Sequence, residues 1–172
     1  MIVLMAGPIA AGKSTVARLV MQSLGGTTVV VREALHHALG AVELDRHELQ
    51  RLGADLDQRT RGRWLVDYLE QIEVGPLVVD SLRTVRQTVP ILDHFVDARL
   101  VYVNAHEETR RRRYRSAGEV DKIKRAAPFD DAMNHPTELQ VSQLIPLAHV
   151  YLETDDLTAE ETMREVLKGL RT

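Results

Sequence analysis

Gly7-Pro8-Ile9-Ala10-Ala11-Gly12-Lys13-Ser14 satisfies the pattern G-x-x-x-x-G-K-[ST] at every position. The chemistry such a stretch can do is phosphate binding. Glycines let the backbone curl until successive N–H groups converge on phosphate oxygens, and a helix that follows turns its positive end to the same point. Lys13 is then placed to reach the β and γ phosphates of a nucleoside triphosphate, and the Ser14 hydroxyl to hold Mg2+. The expected ATP-binding set is Gly7, Ile9, Ala10, Ala11, Gly12, Lys13, Ser14 and Thr15. Average residue usage produces the pattern by chance roughly once in a few hundred chains of this length. Its setting is the test it must pass, and it passes: an apolar strand, Ile2 to Met5, ends just before Gly7, and an amphipathic helical stretch begins at Gly12.

A triphosphate site needs a second carboxylate for its metal. Leu77-Val78-Val79-Asp80 supplies one at the carboxyl end of an apolar strand, where open α/β sheets bind their ligands. Asp80 has another use available, as a cap for the helix after it. Arg83 follows three residues later. If the acceptor is a phosphate its oxygen attacks as an anion, whereas a hydroxyl acceptor needs a carboxylate to take its proton; Asp80 suits both. Beyond the fourth apolar run, Glu107-Glu108-Thr109-Arg110-Arg111-Arg112-Arg113-Tyr114-Arg115 starts a helix on which Arg110 and Arg113 share a face. Arginines brought over a transferring phosphoryl group stabilise its spread negative charge. The same run also reads as a solvated face or as a contact for a nucleic-acid backbone.

These residues require a particular scaffold. Ile2 to Met5, Thr28 to Val31, Leu77 to Val79, Leu100 to Val103 and His149 to Leu152 read as short strands, apolar throughout and so covered on both faces. Between them Val16, Leu19, Val20 and Leu24, then Leu49, Leu52 and Leu56, then Leu65, Tyr68, Leu69 and Ile72 recur at helical spacing. Thr158 and Glu161 form a T-x-x-E capping box ahead of Met163, Val166, Leu167 and Leu170. Thr137 and Gln140 offer a T-x-x-Q box after Pro136. Alternation of strand and helix from end to end predicts a single α/β domain, residues 1–172, with a parallel sheet.

Four features together, the phosphate loop, the D-[GS]-x-R of Asp80 to Arg83, the E-x-x-R-x-x-R of Glu107 to Arg113 and the H-P-[ST]-E of His135 to Glu138, resemble the P-loop nucleoside and nucleotide kinases. The nearest groups are the phage-type deoxynucleoside monophosphate kinases and the dephospho-coenzyme A kinases. The resemblance implies a three-layer α/β/α sandwich with a five-stranded parallel sheet, an acceptor-binding helical region at about 32–74 and a helical lid at about 106–135. It also implies roles: catalysis by Lys13, Asp80, Arg110 and Arg113, with the four-arginine run admitting a register one residue away; a grip on the acceptor by Arg32, Asp80 and Arg83; Mg2+ on Ser14 and Asp80. His135 and Glu138 are minor candidates for acceptor contact. The reaction implied is transfer of the γ-phosphoryl of ATP to a (deoxy)nucleoside monophosphate. A hydroxymethylated base in phage DNA, held through residues 110–125, and a dephospho-coenzyme A-like hydroxyl are alternative acceptors. A nucleotide-binding switch is the alternative outside the kinases; its GTPase form lacks an N-K-x-D motif, since Asn104 and Asn134 are the only asparagines.

The composition excludes other chemistry. Without cysteine there are no disulfides, thiolate nucleophiles or iron–sulfur clusters. His36 and His37 are adjacent and lack the spacing of a zinc pair. Trp64, the only tryptophan, is expected in the core or a cleft wall, and 4% aromatic content gives little for a base-stacking platform. No apolar run reaches the ~18–20 residues of a membrane span, so a cytoplasmic protein is expected, with its oligomeric state open. The net charge of −3 argues against a general nucleic-acid coat. It is a mean over unlike parts: residues 110–125 hold eight Lys and Arg against two acids, a local +6 that leaves −9 elsewhere.

Overall fold

The computed structural model describes residues 1–40, 46–72, 75–117 and 128–171; the expectations that involve Gly118, Lys122, Lys124 and Arg125 lie outside the described residues. Five strands, β1 (Ile2–Ala6), β2 (Thr27–Val30), β3 (Leu77–Leu82), β4 (Ala98–Asn104) and β5 (Val150–Glu153), make one parallel sheet in the order β2-β3-β1-β4-β5. Alternate residues of β1 explain why its sequence is apolar throughout. Ile2, Leu4 and Ala6 face one core with α2 (Val31–Leu39), α3 (Arg46–Thr60), α4 (Arg63–Glu70) and α5 (Val85–His94). Val3 and Met5 face the other, against α1 (Lys13–Leu24) and α9 (Ala159–Gly169). The result is the three-layer α/β/α sandwich expected, with the central strand β1 buried from both sides and the edge strands β2 and β5 partly exposed.

Boundaries move where a side chain or a turn outweighs the apolar pattern. β3 runs on through Asp80 and Ser81 to Leu82, because the register with β1 slips between Met5 and Ala6 and skips Ser81. Val31, expected in a strand, opens α2 instead. Helix α5 was not signalled by periodicity, since Pro90 interrupts it. The T-x-x-Q that caps a helix is Thr84 to Gln87, where the Thr84 hydroxyl accepts from Gln87 N–H at 3.3 Å. The box expected at Thr137 is not formed: Pro136 already stands in the first turn of α8 (Pro136–Gln140), and His135 caps it through Nδ1, which accepts from Thr137 N–H at 3.3 Å. The Thr158–Glu161 box is present with both bonds. Pro90 cannot donate to the Arg86 carbonyl, and Gly62 packs its backbone there so closely that a Cβ would lie 1.9 Å from that oxygen. This fixes α4 against α5. Three further segments, α6 (Glu107–Ala117), α7 (Phe129–Met133) and a 3-10 stretch (Val141–Leu147), lie between β4 and β5. The functional candidates lie at or after the carboxyl ends of the strands, Asp80 within β3 itself.

Candidate active site at the carboxyl edge of the sheet

The loop between β1 and α1 is shaped by what its backbone is denied. Gly7 has φ +138°, and a Cβ on it would lie 1.9 Å from the Val103 carbonyl oxygen, so no side chain fits. Ala10 and Gly12 follow with φ of +60° and +98°. Alternating hands of this kind turn the loop carbonyls outward and its N–H groups inward, the geometry of an anion nest. Three of the loop's carbonyls meet side-chain donors. Lys13 Nζ donates to Pro8 O at 2.7 Å, Arg110 approaches Ile9 O at 3.5 Å, and Arg113 donates to Ala11 O at 3.3 Å. Ser14 and Thr15 stand exposed in the first turn of α1, where a ligand reaches them.

Arg110 and Arg113 were expected to point at a transferring phosphoryl group. Both lie against the loop, on its outer side. Arg113 is held by Thr154, donating to its hydroxyl at 2.9 Å and to its carbonyl at 2.6 Å. Arg110 donates to Ala105 O at 3.0 Å and lies 5.8 Å from the Phe129 ring. Burial is the main reason its acidity is raised, although a guanidinium remains protonated. Arg111 binds Asp130 and Glu107 and covers Phe129. Three of the five arginines in α6 are therefore bound within the protein, while Arg112 and Arg115 are exposed.

Thr154 is a site residue that the sequence reading passed over. It is buried, and its hydroxyl lies 2.9 Å from Asn104 O and 3.3 Å from Ala11 O. The only sequence signal was its position directly after β5. Asp155 beside it accepts from His106 N–H at 3.0 Å and pairs with the His106 ring at 2.9 Å. Burial alone would raise its pKa, but hydrogen bonds from Thr109 and His106 outweigh that and hold it below the usual carboxylate range.

On β3, Asp80 pairs in register with Met5, one residue short of the end of β1. Its Oδ1 is buried with no hydrogen-bond partner among the described residues. A carboxylate oxygen withdrawn from water and left unbonded costs free energy, and a divalent cation beside the Ser14 hydroxyl would supply what it lacks, so the residues present fit Mg2+. Among the described residues no cluster of three or more His, Cys, Asp or Glu could hold a metal ion. Arg32 is exposed in the first turn of α2, next to β3 through the pairing of Val30 with Asp80. Arg83 pairs with Glu138, which also accepts from Ile9 N–H at 2.9 Å. His135, the other minor candidate, caps α8.

Asp57 on α3 accepts from Trp64 Nε1 at 2.6 Å and from Gln87 Nε2 at 2.8 Å, tying α3, α4 and α5 together. Trp64 is a core residue, as expected. Burial pushes the Asp57 carboxyl up, opposed in part by the two hydrogen bonds and by Arg86.

A family model described as an AAA domain matches residues 3–138. No curated protein matches the sequence. Among solved structures, a shikimate kinase from Aquifex aeolicus superposes with a TM-score of 0.64 at 18% identity, covering 99% of this chain and 96% of that one. An APS kinase from Mycobacterium tuberculosis, solved with AMPPNP and APS, gives 0.62 at 19% identity over 99% and 97%. TT1252 from Thermus thermophilus gives 0.60 at 20% identity over 99% and 96%. At these identities the likeness establishes the fold.

Proposed function

The chain belongs to this AAA domain family, and from that premise we propose that it is an ATP-dependent phosphotransferase that moves the γ-phosphoryl group of ATP to a (deoxy)nucleoside monophosphate. The observation that carries the proposal is the loop at residues 7–14, curled by its positive-φ residues, with its Pro8, Ile9 and Ala11 carbonyls met by Lys13, Arg110 and Arg113. That presents the start of α1 and the inner side of the loop to phosphate, with the Ile9 N–H on Glu138 until a ligand takes it. Likeness to kinases of small molecules supports the reaction class.

The roles follow from placement. Lys13 exchanges the Pro8 carbonyl for phosphate oxygens, which need its charge more. Ser14 and Asp80 would hold Mg2+, which when bound neutralises phosphate charge and orients the triphosphate. Arg113 keeps the loop in its curled form through Thr154. Arg110, anchored through Nε on Ala105 O, exchanges its 3.5 Å contact with Ile9 O for the transferring phosphoryl. Arg32 and Arg83 flank the carboxyl ends of adjacent strands and suit a phosphate monoester, since a guanidinium fork offers two parallel donors and keeps its charge. An acceptor of that kind attacks with an anionic oxygen and needs no general base.

The test is γ-labelled ATP offered with each mononucleotide, with dephospho-coenzyme A, with shikimate, and with DNA containing or lacking hydroxymethylpyrimidine. Label in a nucleoside diphosphate is expected. Label only in one of the other acceptors transfers the proposal to that substrate class, and label in none refutes a kinase.

A further inference from the structure

Glu138 is the most constrained acid at the site that the proposed chemistry leaves unused. Its side chain is 6% exposed. One oxygen accepts from Ile9 N–H at 2.9 Å across 129 residues of sequence, and the other pairs with Arg83. Both partners are groups that phosphoryl transfer has to recruit: an amide of the phosphate loop and the arginine expected to grip the acceptor. The peptide that carries this N–H is held from its other end as well, since its carbonyl, that of Pro8, accepts from Lys13 Nζ at 2.7 Å. A carboxylate shares with a phosphoryl group its negative charge and its set of oxygens offered to N–H donors. Two such anions cannot occupy one amide together.

Taking the nucleotide site as proposed above, we infer that the Glu138 carboxylate is a placeholder for the γ-phosphoryl group of ATP: it occupies the Ile9 N–H and neutralises Arg83 until ATP, but not ADP, displaces it. Three consequences follow. ATP binding carries a penalty that ADP binding escapes. Arg83 becomes available to an anionic acceptor only after ATP has bound. Glu138 therefore acts as a specificity residue that distinguishes tri- from diphosphate, and it comes from α8, outside the loop itself.

Isothermal titration with AMPPNP and with ADP, each with Mg2+, tests this on three proteins: wild type, Glu138→Gln, and the double variant Arg83→Gln with Glu138→Gln. Glu138→Gln keeps the shape and removes the charge. The double variant removes both charges, so that it leaves no lone cation in a half-buried setting and provides the test if the single variant folds poorly. The expected result in each variant is a gain in AMPPNP affinity of about tenfold or more, with ADP affinity changing by less than about twofold because its phosphates stop short of the charge. A purely structural role for Glu138 would move both nucleotides alike. An equal shift for the two nucleotides, or no gain for AMPPNP, overturns the inference while leaving the nucleotide site standing. Absence of binding by either nucleotide to the wild-type protein refutes the site and the inference with it.

Discussion

Arg113 donates a 3.3 Å hydrogen bond to the Ala11 carbonyl, so a side chain 102 residues away in sequence holds the outer edge of the phosphate loop. The same guanidinium is clamped by Thr154, which ties the loop after β1, the helix after β4 and the end of β5 into one unit. Replacing Arg113 by Gln is therefore expected to weaken nucleotide binding by roughly ten- to hundredfold and to lower Tm, because buried carbonyls lose a charged donor. Arg111→Gln should leave both near wild type, since its partners are exposed acids. Calorimetric titration and thermal unfolding of the two variants side by side check the contrast.

Lys13 is buried, with Nζ on the Pro8 carbonyl, which marks it as poised at the nest and not extended into solvent. Lys13→Ala should cut kcat/KM for phosphoryl transfer by about 10²–10⁴-fold, the scale of losing one preorganised charge at a developing anion. Circular dichroism should show the fold retained.

Asp80 carries a buried oxygen without a partner, which costs stability while no cation is bound. Asp80→Asn should raise the Tm of the metal-free protein while lowering activity and raising the Mg2+ concentration needed for half-maximal rate. A variant that loses both stability and activity would place Asp80 in the framework instead. Titrating Mg2+ in the transfer assay, alongside unfolding in a chelator, separates the two.

Asp57 gives a pH signature with a definite sign. Its carboxyl pKa is raised in the folded protein, chiefly by burial. In the window just above the ordinary Asp value of about 4, the folded state then binds more protons than the unfolded state, so stability falls as pH rises. Asp57→Asn should remove that slope, and denaturant unfolding of both proteins at a series of pH values in the window measures it. Asp155 contributes the opposite slope at lower pH: its stabilisation is present above the ordinary value and is lost as pH falls through its depressed one.

How far sequence alone reached depended on whether a residue acts through its neighbours along the chain. The β1–loop–α1 unit was legible because Gly7, Gly12, Lys13 and Ser14 are adjacent and their backbone demands are local. The layers were legible because Val3 and Leu4 must both be covered. Helix α5 is hidden in the sequence because Pro90 breaks its periodicity, although Thr84 caps it. Thr154 and Glu138 act on the loop from more than a hundred residues away, and no spacing rule connects them to it. The arginine run was visible as charge, but its division into inward Arg110 and Arg113, paired Arg111, and exposed Arg112 and Arg115 is set by what α6 packs against.

The most direct measurement is the fate of the γ-phosphoryl group in a single turnover. [γ-32P]ATP is mixed with excess protein, Mg2+ and a pool of nucleoside monophosphates, and the products are separated into organic phosphate and inorganic phosphate. Label recovered in a nucleoside diphosphate, in step with ADP formed and absent with Lys13→Ala, is the predicted result. Label recovered solely as inorganic phosphate, or ATP left intact, would contradict a phosphotransferase at this site.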